Sequence, residues 1–263
     1  MNTKIIIAIL FLSFFSPKKN IVINDILELK SKKSLIGKFG KIYSIKGNSL
    51  TIITQKGDTV SSYFSPYGNI ANIDISDPFK IFIKINNHNK IIITDNFLTE
   101  LSSKIELENY NIYNNFLFCR TSENGLWIFD KDNHILLKLN NKFELETSKE
   151  LSPVLYENIT SIKASNSMLF LNSKNKKIII LDRSMNLVKE ISAQINSDFF
   201  ISKNTISYLN SEKNKIKFID FESQKKDSIS INDSLNTKNI FIDNDNILIS
   251  NDSKIFIGKI SFQ

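Results

Sequence analysis

Beyond residue 20 no stretch keeps apolar residues at spacings of three and four for long enough to predict a long helix. Short apolar runs of period two recur, split by clusters of Asn, Asp, Ser, Lys and Gly. These are the residues that bond their own backbone or tolerate left-handed conformations in turns. The pattern predicts many short strands joined by hairpins. The runs repeat: segments 79–107, 115–139, 168–191, 205–231 and 247–260 share a plan of strand, polar hairpin and second strand, usually followed by a third strand.

The best-preserved part of the unit is the hairpin with its second strand. It reads Asn87-His88-Asn89-Lys90-Ile91-Ile92-Ile93-Thr94-Asp95, then Glu123-Asn124-Gly125-Leu126-Trp127-Ile128-Phe129-Asp130. Further copies are Lys174-Asn175-Lys176-Lys177-Ile178-Ile179-Ile180-Leu181-Asp182 and Lys213-Asn214-Lys215-Ile216-Lys217-Phe218-Ile219-Asp220, with a diverged copy at 47–64. The closing aspartates at 95, 130, 182 and 220 are separated by 35, 52 and 38 residues, and the longest gap is assigned to an insertion around 141–156. One more short apolar run precedes each unit, at 70–75, 110–113, 159–163, 199–202 and 240–243. Four strands in about 40 residues is the pattern of β-propeller blades. The last repeat ends after its third strand, whereas residues 21–29 form an apolar-rich run with no repeat of their own. Placed outside the last blade, that run closes the ring and leaves no long unpaired edge. The expected fold is therefore all-β: a six-bladed β-propeller closed by an N-terminal strand that completes the last blade, in one domain over 21–263.

Residues 1–20 depart from this pattern. Lys4 is followed by an unbroken apolar run over 5–15 and then Ser16, Pro17 and Lys18, which predicts a signal peptide and a periplasmic protein. The run is shorter than the roughly 20 residues a membrane-spanning helix needs. Three short sequences, Asp58-Thr59-Val60, Asp227-Ser228-Ile229 and Asp233-Ser234-Leu235, resemble the O-glycosylation pattern of exported Bacteroidota proteins.

Composition narrows the function classes. A net charge of +7 invites a nucleic-acid reading, but lysines are scattered singly, and the densest group, Lys174, Lys176 and Lys177, is hairpin-sized. No nucleic-acid partner is expected. The single cysteine, Cys119, lies in a strand and is expected to be buried. Asp95, Asp130, Asp182 and Asp220 suggest a carboxylate ring for a metal, but their place at strand ends makes them turn caps. His88 and His134 sit in hairpin turns without partners at ligand spacing, and Asp243-Asn244-Asp245-Asn246 lacks the glycine and glutamate of a calcium loop. There is no nucleophile elbow and no phosphate-binding glycine loop among only seven glycines. No metal, cofactor or catalytic residue is expected, and the chain is read as not an enzyme. Aromatics at or beside turns, Tyr63, Phe64, Tyr67 and Phe97, are the candidate anchors for a protein partner.

The segments Phe64-Ser65-Pro66-Tyr67-Gly68-Asn69-Ile70 and Ile73-Asp74-Ile75-Ser76-Asp77-Pro78-Phe79-Lys80-Ile81, with 123–130, resemble a family of exported Bacteroidota β-propellers of unestablished function with repeats of the WD40 and NHL kind. The resemblance covers most of the chain beyond residue 20, implies a periplasmic propeller, and brings no catalytic residues. The function expected from sequence is a non-catalytic scaffold at an envelope or outer-membrane assembly, only indirectly associated with the membrane. The alternative is a lactonase-like or hydrolase-like propeller enzyme, or a carbohydrate-binding module, using the axial channel.

Overall fold

The structure, a computed structural model, describes residues 19–262 apart from 30, 32, 103, 114, 211 and 213. The expected signal peptide lies outside the described residues except for Lys19 and Asn20, which already belong to the first strand. After β1 (Lys19–Glu28) come β2 (Lys33–Ile36), β3 (Ile42–Lys46), β4 (Ser49–Ile53) and β5 (Thr59–Phe64) of blade one. Blade two is β6 (Ile70–Asp77), β7 (Lys80–Ile85), β8 (Lys90–Thr94) and β9 (Ile105–Glu106). Blade three is β10 (Phe116–Arg120), β11 (Leu126–Asp130), β12 (Ile135–Leu139) and β13 (Leu145–Glu150), followed by a single helical turn, α1 (Pro153–Tyr156). Blade four is β14 (Ile159–Ser165), β15 (Met168–Ser173), β16 (Lys177–Leu181) and β17 (Leu187–Ser192). Blade five is β18 (Phe199–Ser202), β19 (Thr205–Asn210), β20 (Lys215–Asp220) and β21 (Lys226–Ser230). Blade six has only β22 (Asn239–Asp243), β23 (Asn246–Ser250) and β24 (Lys254–Phe262) from its own repeat.

Each blade is a four-stranded antiparallel sheet in chain order, and β1 supplies the missing outer strand of blade six, ordered β22-β23-β24-β1. The six-bladed propeller closed by its N-terminal strand is thus the observed fold. Period-two patterning explains why the blades stack. Ile81 and Ile83 face blade one while Phe82 faces blade three; likewise Ile92 faces one neighbour, Ile91 and Ile93 the other. Isoleucine-rich runs are apolar on both faces because both faces are covered. The outermost strands need no such pattern, and every residue of β13 is exposed.

The buried apolar residues form six clusters, one at each junction between successive blades. Five are of similar size, but the junction of blades six and one holds only Ile36, Ile42, Ile53, Leu248, Ile255 and Ile257. The ladder from Lys19↔Phe262 to Glu28↔Lys254 reinforces that place, interrupted by one bulge between Ile23 and Asp25.

Two expectations about the repeat need correction. Residues 110–113 are not the inner strand of blade three, which is β10; they end a 3-10 turn, Leu107–Tyr110, and lead into the connector. The supposed insertion around 141–156 contains β13, an ordinary outer strand. The error lay in Asp130, which ends a second strand and caps the following turn through the N–H groups of Asp132 and Asn133. Asp95, Asp182 and Asp220 instead end third strands and cap the turns into fourth strands. Asn140 is their equivalent in blade three and Thr54 in blade one. Caps at 54, 95, 140, 182 and 220 restore an even period. Among the described residues, half of the sixteen non-glycine residues with positive φ are asparagines, so Asn serves in these turns where many proteins use glycine.

Gly258 faces Ile23 in the closing ladder, and a Cβ there would stand 2.3 Å from the Val22 carbonyl oxygen. Gly258→Ala is expected to force β1 and β24 apart at a cost of about 1–3 kcal/mol. In a chain of this size that lowers Tm by roughly 3–10 °C. Thermal melting checks the shift, and hydrogen exchange should show β1 losing protection before the inner strands.

Candidate functional site

In an up-and-down sheet the turns alternate between two ends, which gives the propeller two faces. The entry face is where each innermost strand begins and the exit face where it ends. The innermost strands β2, β6, β10, β14, β18 and β22 surround the axis, and all six contribute to a cavity of about 270 Å³. That is near the lower end of small-molecule sites, which span roughly 300–1,000 Å³. The exposed lining residues Lys38 and Ser76 lie at the exit face, which places the mouth there.

The lining is apolar with charges set into it. Phe200 and Phe241 meet edge to face at 5.0 Å beside Leu35, Ile73 and Ile201. Lys33, on β2, donates to Asp198 Oδ2 at 2.5 Å and to Asn72 Oδ1 at 3.1 Å. Arg120, buried at the end of β10, donates through Nη1 to Asp77 Oδ2 and through Nη2 to Asn124 Oδ1, both at 2.9 Å. Its guanidinium lies 4.8 Å from the centre of the Phe82 ring, and its backbone N–H donates to Asp74 Oδ2. Asp74 Oδ1 accepts from the Ser76 N–H and hydroxyl. Lys163, on β14, has no hydrogen-bonded or ion-paired partner among the described residues.

The electrostatics hold these groups in fixed states. Burial pushes the Asp198 carboxyl up, but the Lys33 and Lys163 ammoniums outweigh it and the net shift is downward. Burial likewise opposes ionisation of Asp77, where the Phe79 N–H and Arg120 prevail and lower it. The Cys119 thiol is pushed well up by burial and by the Asp74 charge, so it is no ready nucleophile.

Two exposed aromatic residues stand in exit-face loops next in sequence to the lining residues. Phe39 lies in the β2–β3 loop, next to the lining residues Gly37 and Lys38, and is 82% exposed. Its backbone is left-handed, φ 63° and ψ 19°, a conformation that costs a non-glycine residue on the order of 1–3 kcal/mol. Phe79, 65% exposed, is in the β6–β7 turn that follows Ser76.

The aromatics singled out from sequence do not gather in one patch. Tyr63 is buried and its hydroxyl donates to Glu100 Oε1 at 2.6 Å, so burial and Glu100 hold the phenol protonated. Phe64 and Tyr67 are exposed on the entry face, Tyr67 packing edge to face on His88 at 5.1 Å. Phe97 is exposed on the opposite face with the Lys41 ammonium 5.7 Å from its ring centre. His88 and His134 both occupy entry-face turns away from the cavity, and Asp243 and Asn246 pair across the tight β22–β23 turn. Among the described residues no three or more His, Cys, Asp and Glu side chains are placed to hold a metal ion. Lys33, Asp74, Arg120, Lys163 and Asp198 carried no linear signal, because each stands alone in its own repeat.

The sequence matches no protein-family model and no curated protein. Solved structures are similar to it. A streptogramin B lyase structure superposes with a TM-score of 0.59 at 18% identity over 88% of this chain and 78% of that one. A catalytically inactive variant of virginiamycin B lyase from Staphylococcus aureus, solved with quinupristin, gives 0.58 at 19% identity over 89% and 82%. A protein of unknown function from Bacteroides caccae gives 0.56 at 14% identity over 81% and 94%. At such identities the likeness establishes the fold. It also corrects the expectation that this chain is not an enzyme, since the same architecture carries a lyase. A missing linear motif is no ground for excluding catalysis where a site is assembled from side chains some forty residues apart.

Because the folded state holds Asp198 below its unfolded value of about 3.9, the unfolded chain binds the extra proton first as acid is added. The stabilisation from the Lys33–Asp198 pair is therefore present above that value and lost as pH falls through the lowered folded one. Lys33→Gln should lower Tm most at about pH 6, with the gap to wild type closing toward about pH 3. Melting curves across that range check it, and a pH-independent gap would contradict the assignment.

Proposed function

We propose that the protein is a ligand-binding β-propeller whose working part is the axial cavity, where it holds or transforms a small polar molecule. What carries this reading is that the cavity is shared by all six inner strands and combines an aromatic wall with fixed charges. Apolar enclosure with a few convergent polar groups is the usual character of a small-molecule site. Turnover in the cavity is the form to examine first, given the lyases of like architecture. A second reading, a scaffold docking an envelope protein through a loop face, is favoured by exposed Phe64 and Tyr67 on the entry face. Export to the periplasm, expected from residues 1–20, belongs to either reading.

Ser76→Trp places a large ring at the mouth from an exposed position, with the loss of one hydroxyl hydrogen bond to Asp74. Ligands found in a thermal-shift screen of small acids, sugars and lactones should lose their stabilising effect in this variant, while its unliganded Tm stays within a few degrees of wild type. Ligands whose effect survives the plug would place binding elsewhere. In that case envelope pull-downs with wild type and a Phe64→Ser, Tyr67→Ser variant decide the scaffold reading.

A further inference from the structure

Resting on the axial-cavity reading, we propose that the ligand is an amphiphilic anion: a small carboxylate or like acid carrying an aromatic or aliphatic body, its head on Lys163 and its body leaving over Phe39 and Phe79. Four cations, Lys33, Lys38, Arg120 and Lys163, and three carboxylates, Asp74, Asp198 and Asp243, line the cavity. Their pairing separates structural charges from available ones. Lys33 is engaged by Asp198 and Asn72, and Arg120 by Asp77 and Asn124. Asp74 accepts three hydrogen bonds, and Asp243 accepts from the Asn244 amide. Lys38 is exposed at the rim. Lys163 is left partly buried beside an apolar wall, its ammonium sensing Asp198 through space but hydrogen-bonded to no described residue. A half-desolvated ammonium with open donors attracts an anion more strongly than a solvated one does.

The apolar part of the same lining sets the rest of the molecule. Ala164, Phe200, Phe241, Ile73 and Ile201 offer an apolar body nothing to bond. The cavity is small enough that a longer body must pass the mouth, where Phe39 and Phe79 stand exposed. A left-handed Phe39 held in solvent beside lining residues is accounted for by such a contact. A neutral sugar would accept hydrogen bonds from Lys163 without balancing its charge, and a cation would be repelled by it.

The test uses 4-phenylbutanoate and dodecanoate with their neutral amides, titrated by calorimetry into the full chain. Acids are expected to bind at least tenfold more tightly than amides. Lys163→Gln should erase that preference, and Lys163→Arg should restore most of it; Tm should fall less in Lys163→Gln than in Lys33→Gln, because only a through-space attraction to Asp198 is lost, and stay near wild type in Lys163→Arg. A Phe39→Ser, Phe79→Ser variant should weaken acid and amide alike, dodecanoate most. Equal binding of acid and amide, or a preference surviving Lys163→Gln, overturns the proposal. If those same ligands are lost in Ser76→Trp, the cavity remains the site and only the anion assignment fails. Binding unaffected by Ser76→Trp overturns both, and no binding of any probe overturns the amphiphilic-anion assignment.

Discussion

The ladder between β1 and β24 joins the two ends of the described chain where apolar packing is thinnest. A blade has two apolar faces and covers neither by itself, so it is stable only between neighbours. Five junctions are filled by large clusters drawn from consecutive repeats, for which the chain need only fold back over a short distance. The sixth brings together residues from opposite ends of the described chain, and its cluster has about half as many members. Main-chain hydrogen bonds supplied by residues 19–28 make up for that thin contact, and they require Gly258 because the strands approach too closely for a Cβ. Closure also removes the edge of β24, which would otherwise be a long, isoleucine-bearing strand open to pairing with another chain.

The same constraint shapes the composition. Twenty-four strands demand many tight reversals, yet there are only seven glycines and four prolines. Asparagine takes their place twice over. At Asn87, Asn124, Asn166, Asn214 and Asn244 it adopts positive φ, and at Asn140, Asn232 and Asn251 its side chain accepts backbone N–H bonds that cap a turn. An asparagine-rich sequence can thus afford few glycines. Buried on both faces, the inner strands are equally constrained, which leaves β-branched isoleucine as the dominant filling.

These two regularities explain what was legible in the sequence. Short runs, capping residues and the unfinished last repeat were enough for blade number and closure, since each reports a local requirement. Asp130 misled because the second-to-third turn of blade three is capped by the same residue type as the third-to-fourth turns of blades two, four and five. Leu145–Glu150 escaped notice because an outer strand with both sides in water needs no apolar pattern. The cavity was illegible for a different reason. Lys33, Asp74, Arg120, Lys163 and Asp198 meet only because the axis collects one or two positions from each repeat, and within its repeat each looks like any surface charge. Exposure of aromatics was read more nearly, though Tyr63 faces inward because its pleat position alternates with that of exposed Phe64.

Proton chemistry in the cavity is limited by the same pairing that steadies it. A group that trades protons near neutrality needs a pKa near neutrality. Asp198 and Asp77 are driven away from that range in one direction and Cys119 in the other. Those three side chains therefore hold charge or withhold it and do not exchange it. Lys163 is different in kind, because it acts on Asp198 only through space and its ammonium donors are bonded to no described residue. Hydrogen bonds of the paired groups are already made without a ligand, whereas the donors of the Lys163 ammonium are open to one. On the proposed reading, recognition is therefore centred on one side chain of β14, the lining cation whose donors are not already engaged.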